Sequence, residues 1–195
     1  MTHEQESSAI KAITNTFMWS FKKGDNIIYN YRIVWELYAA KRSLVSDKSE
    51  SILNKPIIVI LTAIIECILD DFVHRTKGAT QEGVQNITNT QLDDFKTKKR
   101  DKLEQYIQAA KMHNIFNSVD DQVYKNLDAM RQMRNRVHIQ NNKQVLEVDE
   151  NIVYTEHRLK MSEKVFEFVI NAMILRFYRW GTPNVTPDTM PYPWE

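Results

Sequence analysis

The sequence predicts an all-α protein, an up-and-down helical bundle of about five to six helices followed by an extended, proline-rich C-terminal tail. The chain has 195 residues, 43% of them hydrophobic, which is enough for one continuous core and indicates a single domain. It contains only 4 glycines and 5 prolines, whereas β-sandwiches and barrels need many turn residues. Apolar residues recur at spacings of three and four in six segments, and no segment alternates clearly enough to be assigned as a strand.

Three of the predicted helices lie in the first half of the chain. The first covers Ser7–Lys23, where the apolar spacing is helical, and Gly24 is predicted to end it. The second covers Asn26–Ser46 and carries several aromatic side chains that we expect to pack against neighbouring helices. The third covers Pro56–Lys77, because a proline is tolerated in the first turn and Gly78 is a good C-terminal stop residue.

The other three predicted helices lie in the second half and carry more charge. They cover Thr90–His113, Asp120–Ile139 and Glu156–Trp180, each with an apolar stripe at helical spacing. Between the last two, Val145–Tyr154 alternates imperfectly, which is compatible with a short hairpin arm or with a loop.

The domain is predicted to end before a proline-rich tail. Residues 1–181 form the helical domain, and residues 182–195 hold four of the five prolines and cannot be helical. This tail either packs on the bundle or is mobile. Its aromatic residues Tyr192 and Trp194 either pack on their own bundle or on a dimer mate, or dock into a protein partner as a proline-rich ligand.

The composition excludes several classes of protein. With 26 basic and 25 acidic residues the net charge is +1, so only a local basic patch could bind nucleic acid. The single cysteine, Cys67, excludes an intrachain disulfide and a multi-cysteine zinc site, and it fits a reducing compartment. The acidic, polar N-terminus is unlike a signal peptide, and the longest apolar stretch, Ile57–Leu69, is shorter than the ~20 residues that span a bilayer. We therefore expect a cytoplasmic protein without a membrane partner.

The most informative segment is Met130–Ile139, on the fifth predicted helix. On a wheel drawn at about 100° per residue, Arg131, Arg134 and His138 fall in one column beside the apolar stripe. The same wheel points Arg136 into solvent. Because Arg134 and His138 are four residues apart, they lie roughly one helical turn from each other.

That column suits the chemistry of a phosphodiester. A guanidinium donates two parallel hydrogen bonds to a pair of phosphate oxygens. An imidazole, with an ordinary pKa near ~6.5, can move a proton at neutral pH. Such chemistry needs neither a metal ion nor a cofactor, and we expect none. A histidine beside arginines at a helix end is also compatible with a purely structural dipole interaction.

An all-α bundle whose late helix ends in arginines, asparagine and histidine resembles the HEPN superfamily. The family hallmark is an arginine, a polar residue next to it, and a histidine after four to six intervening positions. Here Arg131 is followed by Gln132, and six residues separate Arg131 from His138, which fits. The Arg134-Asn135 pair looks more like the typical Arg-Asn of the family, but only three residues separate it from the histidine, one short of the usual range. The spacing leaves open which arginine is functional.

The resemblance implies a homodimer in which the motif helices of two copies face each other and form one composite cleft. It also implies a metal-independent endoribonuclease in which the ribose 2′-hydroxyl attacks the adjacent phosphate and leaves a 2′,3′-cyclic phosphate. By analogy His138 would act as general base or acid, Arg131 or Arg134 would stabilise charge on the phosphate, and Asn135 would orient the site or the RNA. Other members only bind RNA or nucleotides, or serve in toxin, antiphage or stress-response systems, which implies a protein partner or an antitoxin.

A narrow polar stripe runs along the otherwise apolar third helix. Glu66, Asp70 and His74 are spaced four residues apart, and they could form a two-carboxylate metal site or face a polar column of another helix. Because buried carboxylates need partners, Arg134 is a natural partner for Glu66 or Asp70. In that arrangement Arg134 is structural and Arg131 is the functional arginine.

A basic cluster precedes the motif in sequence. Lys98, Lys99 and Arg100 could follow an RNA backbone, with Arg136 adding a further contact. Acidic residues interleave with this cluster, however, and a solvated helix face with paired charges also explains the pattern.

Overall fold

The computed structural model describes residues 10, 14–44, 51–78, 84, 86–119, 121–137, 149–179 and 190–195. Those residues are helical or irregular and include no strand, so the protein is all-α over the part described. The helices with complete bounds are α1 (Phe21–Ser43), α2 (Asn54–Gly78), α3 (Asn89–Thr97), α4 (Leu103–Met112), α5 (Gln122–Asn135), α6 (Glu150–Val153) and α7 (Glu156–Arg176). None of these helices combines the length and the apolar composition that a bilayer-spanning segment needs.

Helix α2 is the centre of the bundle. It packs against α1, α3, α4, α5 and α7, and its residues Ile57, Ile58, Leu61 and Ile68 are completely enclosed. Each such side chain contributes about 1.5–3 kcal/mol of burial free energy, which outweighs the modest helix propensity of β-branched isoleucine. The helix ends at Gly78, the residue that the sequence predicts as its stop.

The predicted break at Gly24 is wrong, because the chain breaks earlier, at residues 18–20. The buried carboxylate of Asp71 on α2 accepts the backbone N–H of Trp19 at 2.7 Å and that of Ser20 at 3.0 Å. These two bonds fix an extended Ser20, whose hydroxyl accepts the N–H of Lys23 and caps α1. Gly24 then lies inside α1, on its buried side.

The single helix predicted over Thr90–His113 is divided into α3 and α4. After Lys98, which is extended, Arg100 folds back on the last turn of α3. Its Nη1 donates to the main-chain carbonyl of Asp94 at 3.0 Å, and its Nη2 binds the Asp94 carboxylate. A buried arginine held in this way is incompatible with a helix that continues through it.

Helix α5 is shorter than predicted at both ends. It ends at Asn135, where the next two N–H groups bond three residues back, as in a tightened last turn. Its buried side is formed by Tyr124, Leu127, Met130 and Met133. Val119 and Val137 lie outside the helix and are exposed. The first and last residues predicted for this helix, Asp120 and Ile139, lie outside the described residues.

The connection from α4 to α5 is a compact turn. Asn114 has a left-handed φ of 43°, the N–H of Ile115 bonds to the carbonyl of Ala110, and the N–H of Asn114 bonds to that of Lys111. This pattern is a Schellman motif, in which a left-handed residue ends the helix. The side-chain oxygen of Asn114 also accepts the N–H of Ser118 at 2.9 Å and lies 3.2 Å from the hydroxyl of Tyr124, so the turn is tied to α5.

The end of the chain packs on its own bundle. In residues 190–195, the carbonyl of Pro191 accepts the hydroxyl of Tyr31 on α1 at 2.9 Å. The indole N–H of Trp194 donates to Glu167 on α7 at 2.5 Å. Of the alternatives left open for the tail, packing against its own helices is the one present in these six residues.

We expect Asp71→Ala to lower the free energy of unfolding by about 2–4 kcal/mol, because it leaves two part-buried N–H groups without an acceptor. Urea denaturation followed by circular dichroism measures this difference. The matched control is Asp25→Ala, which removes an exposed carboxylate from α1 and should change stability by less than about 0.5 kcal/mol. Equal effects of the two substitutions would show that the Asp71 bonds do not hold the start of α1.

Candidate functional site

A cavity of about 210 Å³ lies where the end of α5 meets the beginning of α4 and the middle of α2. Three of the four residues predicted as catalytic line it together: Arg131, Arg134 and Asn135. The other lining residues are Glu66, Asp101, Lys102, Leu103 and Glu104. His138, the fourth predicted residue, lies outside the described residues.

Arg134 is held by a carboxylate from the central helix. Its Nη1 and Nη2 lie 3.1 Å and 2.5 Å from the two carboxylate oxygens of Glu66. Glu66 is one of the two partners that the sequence analysis names for this arginine. Two parallel hydrogen bonds fix the plane of the guanidinium, and they use the same two-donor edge that a phosphate would bind.

Arg131 has different partners and donates fewer hydrogen bonds than Arg134. Its Nε donates to the carboxylate of Asp128, one turn earlier on α5, at 2.7 Å. Its Nη1 lies 3.9 Å from Glu104 of α4, which is an ion pair without a hydrogen bond. Within the described part of the chain, the two Nη groups of Arg131 donate no hydrogen bond, so an anion can bind them without breaking one.

Two further polar groups of the cavity are not engaged elsewhere. The side-chain amide of Asn135 and the ammonium of Lys102 make no bond to any other residue that the structure describes. Lys102 is also the N-cap of α4, and its side chain does not cap the helix. The positive end of the α4 dipole therefore adds to the cations of the cavity.

No protein-family model, curated protein or solved structure matches this chain.

The predicted solvent-facing position of Arg136 is wrong. Arg136 is only 9% exposed, because α5 ends one residue earlier and the ideal wheel no longer applies. It does not line the cavity. A buried guanidinium at this position does not fit the RNA contact expected from the sequence.

The basic cluster that includes Arg100 also differs from expectation. Arg100 is buried against the ring of Phe95, and the carboxylate of Asp94 binds Arg100, Lys98 and His113. Arg100 is thus a structural ion-pair partner and does not present its guanidinium to RNA. Lys98 is bound to the same carboxylate at 2.5 Å. Lys99 is exposed and lies 3.2 Å from Asp101, and neither lysine lines the cavity.

The polar stripe of α2 is satisfied by other helices. Asp70 binds Lys23 of α1 at 2.5 Å and accepts the hydroxyl of Tyr106 of α4 at 2.6 Å. Burial raises the pKa of Asp70, but the bonds from Lys23 and Tyr106 outweigh it and hold the pKa below its usual value. His74 bonds to Asp70 of its own helix. Among the described residues no group of acidic, histidine and cysteine side chains is arranged to hold a metal ion.

Three charged residues beside the arginines are not predicted from the sequence: Glu104 and Asp128, which pair with Arg131, and Lys102, which lines the cavity. A signal for Asp128 was present, since it precedes Arg131 by three residues, a spacing at which opposite charges meet on a helix. Glu104 and Lys102 carried no comparable local signal, because their position depends on the break before α4.

We expect Glu66→Gln to raise the affinity for inorganic phosphate by about fivefold or more, since it frees the two-donor edge of Arg134 and removes a negative charge from the cavity. Isothermal titration calorimetry measures the affinity. Asp25→Asn, which removes the same charge from an exposed site outside the cavity, is the control. An unchanged or weaker affinity in Glu66→Gln would mean that the pair with Glu66 is needed to position Arg134.

We expect Asp94→Asn to lower the free energy of unfolding at pH 7 by about 2–4 kcal/mol, because it removes the charge that binds Lys98, Arg100 and the ring of His113. Burial raises the pKa of Asp94, but bonds from His113, Lys98 and Arg100 outweigh it and hold the pKa well below its usual value. A carboxylate with a depressed pKa stabilises the fold above its unfolded pKa of about 3.9, and this contribution is lost as the pH falls further.

The difference between wild type and Asp94→Asn should therefore persist down to about pH 5 and shrink below about pH 4. Urea titrations at a series of pH values measure it. Asp93→Asn, an exposed neighbour on the same helix, is the control. A difference that does not shrink in acid would contradict a charge-based role for Asp94.

Proposed function

We propose that the protein is a metal-independent endoribonuclease of the HEPN type that acts at the cavity between α2, α4 and α5. The observation that supports this most directly is that Arg131, Arg134 and Asn135 line one cavity. The histidine of the motif, His138, follows the end of α5 by three residues in sequence.

The chemistry divides among these residues as follows. The ribose 2′-oxygen attacks the adjacent phosphorus, the bond from phosphorus to the 5′-oxygen breaks, and the products carry a 2′,3′-cyclic phosphate and a 5′-hydroxyl. His138 takes the proton from the 2′-hydroxyl or returns one to the 5′-oxygen. Arg131 donates its two Nη groups to the phosphate oxygens, where negative charge increases in the transition state. The amide of Asn135 orients the RNA.

A homodimer is part of the proposal. The reaction needs one group that accepts a proton and one that donates a proton, and each chain supplies a single motif histidine. Two copies with their motif segments facing each other would supply both groups in one cleft.

We expect purified protein to cleave end-labelled RNA in the presence of EDTA, and His138→Ala to lower the rate by a factor of about 10² or more. The product ends are identified by their resistance to phosphatase until the cyclic phosphate is opened. His157→Ala, an exposed histidine of α7, is the matched control, and circular dichroism verifies folding of both variants. Equal cleavage by wild type and His138→Ala would contradict the proposal.

A second candidate function is a non-catalytic module that binds RNA or nucleotides, with a regulatory role. The observation in its favour is that both arginines already have carboxylate partners, Glu66 for Arg134 and Asp128 for Arg131. In that case RNA is retained in a salt-sensitive manner and no product appears in the same assay. Such a module would act through a protein partner or antitoxin.

A further inference from the structure

A second cavity, of about 390 Å³, adjoins the first along the groove between α4 and α5. The two cavities share Glu104 and Arg131, so they lie side by side. The volume of the second cavity falls in the range of small-molecule sites, about 300–1,000 Å³. The first cavity is smaller and lined mostly by charged residues, whereas the second includes the apolar side chain of Ile107 and the ring of Tyr124.

Two polar residues of the second cavity, Gln108 and Lys125, suit the base and the phosphate of a nucleotide, whereas Glu104 and Asp128 add two carboxylates to its lining. Gln108 is exposed and its amide makes no hydrogen bond within the described residues, so both a donor and an acceptor are available for a base edge. Lys125 is exposed and has no ion-pair partner in the part of the chain described. Lys111, by contrast, is already paired with Asp121 at 2.8 Å.

The spacing of the cations separates two phosphate positions. Lys125 precedes Arg131 by six residues on the same helix, which is about 9 Å along the axis at ~1.5 Å per residue. This offset along the groove suits two phosphates of one strand better than a single phosphate shared by both side chains. Lys125 is therefore positioned for a different phosphate from the one at Arg131.

From this arrangement we infer that the groove between α4 and α5 binds a single-stranded polynucleotide, with one phosphate at Arg131, the adjacent nucleoside in the second cavity and a further phosphate at Lys125. The inference rests on the proposed function, because it extends the same site. It specifies the substrate class as a strand of at least two nucleotides, in contrast to a mononucleotide or free phosphate.

The test uses the full chain and a fluorescent eight-nucleotide RNA with 2′-O-methyl groups, which cannot be cleaved through the 2′-oxygen. Fluorescence anisotropy at several salt concentrations gives the affinity and its salt dependence. Lys125→Ala is compared with Lys164→Ala, which removes an exposed lysine of α7 that lines neither cavity. Inorganic phosphate is titrated in parallel as the probe of the first cavity.

We expect Lys125→Ala to weaken oligonucleotide binding about fivefold to tenfold and to reduce the slope of log K against log salt by about 0.7, the value for one phosphate contact on a single strand. Lys164→Ala should change neither quantity, and phosphate affinity should be the same in all three proteins. Because Lys125 is exposed, the variant should fold normally, which circular dichroism verifies.

Three results would overturn the inference. One is an affinity for the oligonucleotide in Lys125→Ala equal to that of Lys164→Ala. Another is a wild-type protein that binds phosphate but not the oligonucleotide. A third is a loss of binding accompanied by a change of oligomeric state in light scattering, which would identify the groove as a protein interface. If the oligonucleotide binds in a Lys125-dependent manner but natural RNA is not cleaved, the inferred binding groove is supported and the nuclease proposal is rejected.

Discussion

A helix that is enclosed by five others can carry carboxylates only where those neighbours supply partners for them, and α2 carries three. Asp71 accepts two N–H groups just before α1, Asp70 binds Lys23 and Tyr106, and Glu66 binds Arg134. Leaving the buried Asp71 or the part-buried Asp70 and Glu66 without partners would be costly, so the partners constrain how α1, α4 and α5 pack around α2. The apolar core makes the bundle stable, and the carboxylates select one register of the helices. The candidate site lies at one of these pairs, which means that its geometry is determined by the fold.

The charge balance of the first cavity affects what it can recognise. Three cationic and three carboxylate side chains line it, so the cavity presents no strong net attraction to polyanions. A phosphate entering it must exchange with an internal carboxylate at Arg134 or use the unengaged groups of Arg131, Asn135 and Lys102. Recognition then depends on the direction of hydrogen bonds more than on long-range attraction, in keeping with a chain whose net charge is +1. Non-specific adhesion to nucleic acid, which follows from large positive potentials, is correspondingly weak for such a surface.

Two features of the structure followed from general rules applied to the sequence. The stop of α2 at Gly78 followed from its neighbours in sequence, and the choice of Glu66 or Asp70 as partner of Arg134 followed from the need to pair buried carboxylates. The break before α1 could not be predicted in this way, because the group that causes it, Asp71, lies about 50 residues further along the chain. The division of α3 from α4 depends on Arg100 folding back on Asp94, and a charged pair six residues apart has no distinctive sequence signature. The placement of His138 stays a prediction, since it lies outside the described residues.

The turn at Asn114 has a consequence for how the site tolerates sequence change. Its left-handed backbone disfavours residues with a branched or bulky side chain, and its side-chain oxygen accepts hydrogen bonds from the N–H of Ser118 and the hydroxyl of Tyr124. Glycine adopts the left-handed backbone easily but has no side-chain oxygen to accept these hydrogen bonds. Aspartate is the nearest replacement in both respects. Because this turn joins α4 to α5, a change in its conformation would change the width of the groove between them. Substitutions at position 114 would therefore alter the shape of both cavities, although the residue lines neither.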